Sequence, residues 1–364
     1  MTMNRAGRRM KRILAVAAVL WVFFLTGCGY EEGVKTLKPA NQSDAVSDVL
    51  TDSGLTVHFI DVGQGDSTLI EADGHFMLID AGEKEAAPAV VDYLRDQGVK
   101  TLDYVIGTHP HSDHIGGLEP VIKGFLIEGV MLPGKEHTTR TYEKLLDAIE
   151  EKGVKITVPK PGENYSLGNA SFQILSPNDD YGDNLNNWSI GIRLLYGETS
   201  FVFCGDAEKE AEADMLSTGL RLNADVLKVS HHGSSTSSST EFLRAVNPRY
   251  AVISCGKNND YGHPHKETLQ SLKELGTTVL RTDQLGTIVI KSDGKSLQLP
   301  EESKSENQRV DTGLEYIINT NTGKFHLPDC KLAQSMKEKN RKLYKGTRQE
   351  LIDEGLEPCK SCNP

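Results

Sequence analysis

A chain of 364 residues leads us to expect one large and one small domain. Its 40 basic and 51 acidic residues give a net charge of −11. No Lys/Arg cluster surrounds the motifs described below, which excludes tight sequence-independent gripping of nucleic acid by charge alone. Only one long apolar run occurs, near the start, which excludes a multi-span membrane channel.

The first 27 residues contain five basic residues, Arg5, Arg8, Arg9, Lys11 and Arg12, and no acid. The apolar run Ile13 to Leu25 follows, shorter than a comfortable membrane span. It ends at Leu25-Thr26-Gly27-Cys28, which resembles a bacterial lipoprotein lipobox. On that reading residues 1–27 are a signal peptide and Cys28 is the lipidated first residue of the mature protein. The alternative is an uncleaved anchor helix. Either leaves the rest of the chain outside the cytoplasm and tethered to a membrane. Residues 28–53 then form a polar tether without a sustained apolar period.

Residues 54–300 alternate strand-like and helix-like runs. Val57 to Ile60, Ser67 to Ile70, Phe76 to Ile79 and Tyr104 to Ile106 read as strands, and Ala87 to Gln97 and Tyr142 to Lys152 as amphipathic helices. A hairpin, Ile190 to Tyr196 with Ser200 to Cys204, precedes Gly205-Asp206. Such repetition argues for α/β layers. The apolar segment Leu102 to Gly107 runs into Thr108-His109-Pro110-His111-Ser112-Asp113-His114. Three imidazoles and a carboxylate thus fall within six residues at a strand end, where histidines two apart can turn toward one metal and the Asp-His pair toward a second. These ligands suit zinc, manganese or iron.

HxHxDH is the signature of the metallo-β-lactamase superfamily. Phe59 to Ser67, Leu78 to Gly82, Phe203 to Asp206, Leu227 to Ser234 and Ile253 to His265 extend the resemblance. Together they look like the branch typified by the soluble hydrolase domain of ComEC, the DNA-uptake channel protein, over about residues 54–300. The resemblance implies a four-layer αββα sandwich with metal ligands gathered on loops along one edge. It implies His109 and His111 on a first divalent metal, Asp113, His114 and His263 on a second, and Asp206 bridging both. A water shared between the metals would be the nucleophile. Asp113 and His231 are the catalytic candidates, His231 for charge stabilisation or leaving-group protonation. His232 reads either as a substrate contact or as a structural histidine beneath the site. Ser234 and His265 are further candidates, and Lys228 reads as a strand residue. Asp61, Gln64, Asp66 and Asp80 read as orienting the ligand imidazoles, with a turn-capping role as the alternative for Asp80.

In one respect the chain departs from the wider superfamily. A further histidine normally completes the first site, but none occurs between His137 and His231. Asn186, Asn187 or water would fill the gap, which places manganese beside zinc as the core metal.

Two more cysteines, Cys204 and Cys255, sit in apolar surroundings and read as core thiols. Residues 301–313 have a linker's composition, and 314–364 form a second unit. His326-x3-Cys330 and Cys359-x2-Cys362 supply four soft ligands in two pairs, the arrangement of a closed structural zinc site. A unit this small favours a metal staple, and a disulfide would leave one thiol over. The unit resembles the small zinc-binding domain at the start of the Ada DNA-repair protein, with His326 where that family has a cysteine.

Three functions remain open on the sequence: an extracytoplasmic metal-dependent phosphodiesterase or nuclease acting on DNA; a hydrolase of envelope phosphoesters (phosphocholine or teichoic acid) or lactones; and a non-catalytic DNA-binding lipoprotein. Loss of the signal-peptide cations brings the mature chain to −16. The unit from Leu314 onward carries nine basic and seven acidic residues, so the remainder lies near −18.

Overall fold

The computed structural model describes residues 54–300, 314–328, 330–346, 351, 354–359 and 361–362. Cys28, the signal peptide, the tether and the linker lie outside the described residues. The chain divides between Gln298 and Leu299 into two compact units.

The larger unit is built on two sheets. The first has eight strands in the order Leu297–Gln298, Ile288–Ser292, Leu55–Phe59, Thr68–Ala72, His75–Ile79, Tyr104–Ile106, Val130–Met131 and Ile156–Thr157. The second has seven: Thr278–Arg281, Tyr250–Ile253, Val226–Lys228, Thr199–Phe203, Gly191–Tyr196, Ala170–Ser176 and Asn164–Leu167. Both are mixed, with antiparallel hairpins giving way to parallel strands where helices form the connections.

Period-two alternation assigns the faces. Leu69, Leu78, Val105 and Val130 point outward, onto the helices Ala87–Asp96, Leu118–Gly124 and Arg140–Lys152 through Val90, Leu94, Val121, Leu145 and Ile149. Val202, Leu227, Ala251 and Ile253 do the same for the second sheet, against Ala211, Met215, Phe242, Leu243 and Leu272 of three further helices. Between the sheets Phe59 stacks on Phe203 at 6.0 Å and Tyr104 meets Phe172 edge-on at 5.2 Å. The result is the expected four-layer αββα sandwich.

The structure differs from the sequence expectation at element ends. The helix predicted from Tyr142 begins at Arg140, because the Thr139 hydroxyl accepts a hydrogen bond from Tyr142 N. The run Leu102 to Gly107 breaks at Asp103, whose carboxylate leaves the ladder to take hydrogen bonds from His75 Nδ1 and Phe76 N. Cys204 and Cys255 are buried free thiols, as expected.

The smaller unit is a four-stranded sheet, Arg341–Gly346, Leu314–Asn319, Lys324–His326 and Glu357–Pro358, with the short helix Lys331–Gln334. Its apolar clusters are small: Tyr316, Ile318, Phe325 and Leu351 in one, and Ile317 and Ala333 beside Cys330 and Cys359 in the other. Among the described residues no helix is long and apolar enough to cross a membrane.

Candidate metal centre

The site forms along one edge of the sandwich, where six loops leave strand ends. The strand Tyr104–Ile106 delivers Thr108 to His114, and Ser112–Ile115 turns at once into a short helix that brings Asp113 and His114 round to the same side. The strand Thr199–Phe203 ends at Gly205-Asp206. Gly205 has φ +50°, and a Cβ there would lie 2.9 Å from Ser189 Oγ and Thr108 Cβ, so only glycine lets Asp206 in. The strand Val226–Lys228 runs into a turn in which His231 and His232 both have positive φ, 51° and 53°. Two non-glycine residues in the left-handed region mark a local cost met for position.

Asp113, His114, Asp206 and His232 bring one donor atom each within 4.8 Å of one another. His114 Nε2 lies 3.2 Å from Asp206 Oδ1, and His232 Nε2 lies 3.2 Å from Asp113 Oδ2 and 3.6 Å from Asp206 Oδ2. On the other side of Asp206, His109 Nε2 is 3.9 Å from Oδ2 and 3.0 Å from His111 Nδ1. Asp206 Oδ2 thus faces both His109 and His232 while Oδ1 faces His114, so one carboxylate reaches ligands of both expected sites. The sequence reading assigned the last place to His263. In the structure the donor atom that joins Asp113, His114 and Asp206 comes from His232, and His263 sits one ring further out, stacked on it with centroids 6.1 Å apart.

The far nitrogens of these rings are held. His114 Nδ1 donates to Asp80 Oδ2 at 2.8 Å, and Asp80 also takes the Thr108 backbone N–H and hydroxyl at 2.8 and 2.7 Å. His232 Nδ1 donates to the Ser254 carbonyl at 3.0 Å, with Asp66 Oδ1 at 3.3 Å. His109 Nδ1 lies between the hydroxyls of Thr108 and Ser189, at 3.1 and 3.3 Å. Each arrangement turns Nε2 toward Asp206 and fixes the ring. Asp66 and Asp80 thus orient imidazoles as expected. Asp61 and Gln64 do otherwise: Asp61 Oδ1 caps the turn at Gly63 N, and Gln64 Oε1 ties its loop to Gly256 N.

Asn187 cannot stand in for the missing first-site histidine. Its amide is committed at both ends, to Glu210 Oε2 and to Glu208 N. Asn186 donates to Glu208 Oε1 and keeps a buried, unpartnered Oδ1. His231 Nε2 lies 3.8 Å from Asp206 Oδ2, with Nδ1 on Thr236 Oγ1 at 3.0 Å and near Glu208 at 3.4 Å. Ser234 and His265 are structural: Ser234 closes the turn through His231 O and Thr236, and His265 Nδ1 accepts from Ser235 N.

Sequence reasoning missed Ser189 and Glu208, and it missed what Lys228 does. Lys228 Nζ pairs with Asp66 Oδ2 at 2.7 Å, both residues about 95% or more buried, and joins a loop of one sheet to a strand of the other. The signal was faint: Lys228 shares the inner face of its strand with Val226, two residues back.

The charge balance of the site calls for cations. Asp66, Asp80, Asp113 and Asp206 all lie against His114 or His232, and Lys228 pairs with Asp66. Burial opposes the ionised forms, but Lys228 and His232 hold Asp66 down to about 2, and His114 and His232 hold Asp206 well below its usual range. Burial likewise opposes charge on His232, yet Asp206 and Asp66 raise it to about 10; Asp206, Asp113 and Asp80 raise His114 in the same way. Burial, helped by His114, keeps His109 well below its normal value and so neutral. His114 Nε2 and Asp206 Oδ1 are buried, face each other and find no well-aligned hydrogen bond. The carboxylates thus hold protons on His114 and His232, which divalent ions would displace; with the neutral His109 and the orphaned donor atoms pointing at common space, the set fits such ions.

In the smaller unit His326, Cys330, Cys359 and Cys362 likewise place four donors within 4.8 Å, with Cys330 Sγ 3.6 Å from His326 Nδ1. All three cysteines are free.

A fold of this kind with this edge site defines a class, and comparison with known proteins agrees. The profile of the metallo-β-lactamase superfamily matches residues 60–257. The chain belongs to that superfamily. Its curated relatives include ComEC-like competence proteins. It is 37% identical to ComE operon protein 3 of Bacillus subtilis over 64% of this chain and 32% of that one. It is 30% identical to Competence protein ComA of Neisseria gonorrhoeae, over 76% and 38% respectively. It is also 30% identical to Recombination protein 2 of Haemophilus influenzae, over 64% and 28%. The chain thus spans about a third of the length of these relatives.

Proposed function

We propose that the protein is an extracytoplasmic, lipid-anchored phosphodiesterase that cleaves DNA at the Asp206-centred edge site. The observation that carries this reading is Asp206 itself, whose Oδ2 faces His109 and His232 and whose Oδ1 faces His114. His109, His111 and Asp206 would hold one divalent ion, manganese or zinc, and Asp113, His114, His232 and Asp206 a second. When bound, such ions supply Lewis acidity and an acidified water. The chain's own residues do the rest. Asp80 and the Ser254 carbonyl keep His114 and His232 in the ligating tautomer, and the Lys228–Asp66 pair keeps the His232 loop in register with the first sheet. His231, held through Nδ1 by Thr236, presents Nε2 toward the site and serves to protonate the leaving oxygen. His263 lines the approach.

Kinship with proteins named for competence and recombination supports DNA as the substrate class. In the smaller unit, His326, Cys330, Cys359 and Cys362 would hold one structural zinc, and Cys28 would carry the lipid.

The acidic character of the larger unit favours a second reading, hydrolysis of a small envelope phosphoester rather than a long polyanion. A substrate panel separates the two. Manganese- or zinc-loaded protein should release products from oligodeoxynucleotides and leave glycerophosphocholine, teichoic acid and lactones intact. Turnover of the envelope esters without cleavage of DNA would replace the first reading by the second.

A further inference from the structure

The loop after the strand Tyr250–Ile253 carries a feature that the metal site does not use. Tyr261 is 67% exposed, the only exposed aromatic side chain of this kind among the described residues. Its ring lies on that of His263, with centroids 5.6 Å apart and planes 19° apart. His263 in turn lies on His232, at 6.1 Å and 29°. His232 Nε2 stands 3.2 Å from Asp113 Oδ2, inside the donor cluster. Three near-parallel rings therefore form a ladder from the site to the surface, and the last presents an open face to water.

The loop is built to hold that ladder. Asn259 Oδ1 accepts from His263 N, and Asn259 Nδ2 donates to the Gly256 and His263 carbonyls. Tyr261 O receives a hydrogen bond from His265 Nε2 at 3.3 Å. The backbone on both sides of the tyrosine is thus tied down, so its ring is a fixed platform rather than a loose side chain.

We propose that Tyr261 is the stacking platform for a nucleobase of the substrate, further along the strand from the phosphodiester held at the Asp206 site. This rests on the phosphodiesterase reading and narrows it to base-bearing, unpaired strands, because a base must be unstacked from its duplex to lie on the ring. The acidic larger unit gives the same direction. With 22 basic and 35 acidic residues between 54 and 300, a net charge of −13, it cannot grip a strand by neutralising phosphates. Stacking is uncharged and sequence-tolerant, since every base has a π-face.

The test uses the metal-loaded full chain and two single-stranded substrates of equal length, oligothymidylate and its abasic counterpart. Wild type should prefer the base-bearing strand. In Tyr261→Ala that preference, as a ratio of kcat/KM values, should fall about 5- to 150-fold, chiefly through KM. Tyr261→Trp should retain it. A preference unchanged in Tyr261→Ala, at wild-type metal content, overturns the assignment of Tyr261. So does wild type that cleaves both strands equally well, although the phosphodiesterase reading then stands. Wild type that cleaves neither strand overturns that reading and the inference together.

Discussion

Lys228 and Asp66 are a buried ion pair that joins the two sheets beside the site. Removing one partner strands the other's charge in the interior, which typically costs about 3–5 kcal/mol. Lys228→Met should therefore destabilise the protein by that order in denaturant unfolding and weaken metal uptake, while adding Asp66→Asn should recover part of the loss. A double variant no more stable than Lys228→Met would contradict the pairing. His58 gives a pH signature. Burial first, then Lys291, lowers its pKa from 6.5 to about 4, and its Nδ1 pairs with the Tyr93 hydroxyl at 2.8 Å. The folded value lies below the free one, so stability is complete above pH 6.5 and falls as the pH drops toward 4, by up to about 3 kcal/mol. The wild-type minus His58→Asn difference in unfolding free energy should shrink over that interval, and a flat difference would refute the assignment. At this scale the local cluster His109 to His114 was plain in the sequence, since its ligands are near neighbours. The choice between His232 and His263 was not: it depends on which of two distant loops reaches Asp113, and no spacing encodes that.

Turns place these residues, and glycines set the turns. A Cβ on Gly65, at φ +139°, would lie 2.4 Å from the Asp113 carbonyl oxygen, and Asp66 N donates to that same carbonyl at 3.1 Å. Gly65→Ala must push the Asp66 loop away from the Asp113 turn. We expect a loss of at least about 2 kcal/mol in stability, together with reduced metal content by elemental analysis. Wild-type values for both would show that the loop approach is unimportant. The strands and the two main amphipathic helices were legible because period-two and period-3.6 patterns survive in them. The left-handed turn at His231 and His232 was hidden, because its residues carry no glycine signal. Asn187 looked like a substitute ligand, yet the fold engages both ends of its amide with Glu208 and Glu210, whereas Asn186 commits only Nδ2 and leaves Oδ1 unpartnered.

The whole chain combines an acidic hydrolase unit with a small one whose apolar clusters are slight. Such a unit needs its four donors filled. Elemental analysis should find one zinc that Cys359→Ser removes, with loss of the cooperative unfolding transition of residues 314–364; an unaltered transition in that variant would argue against a structural metal. The superfamily and its layers were readable from six spaced motifs. Substrate choice was not, because net charge and fold leave it open and only side-chain placement at the edge narrows it. The account turns on Asp206 as the shared carboxylate of a DNA-cleaving centre. The most direct measurement is cleavage of single-stranded DNA by the manganese- or zinc-loaded protein, beside an Asp206→Ala twin of equal thermal stability. Metal-dependent cleavage that vanishes in the twin is the predicted result; no cleavage by folded, metal-loaded protein, or cleavage that persists in the twin, would contradict it.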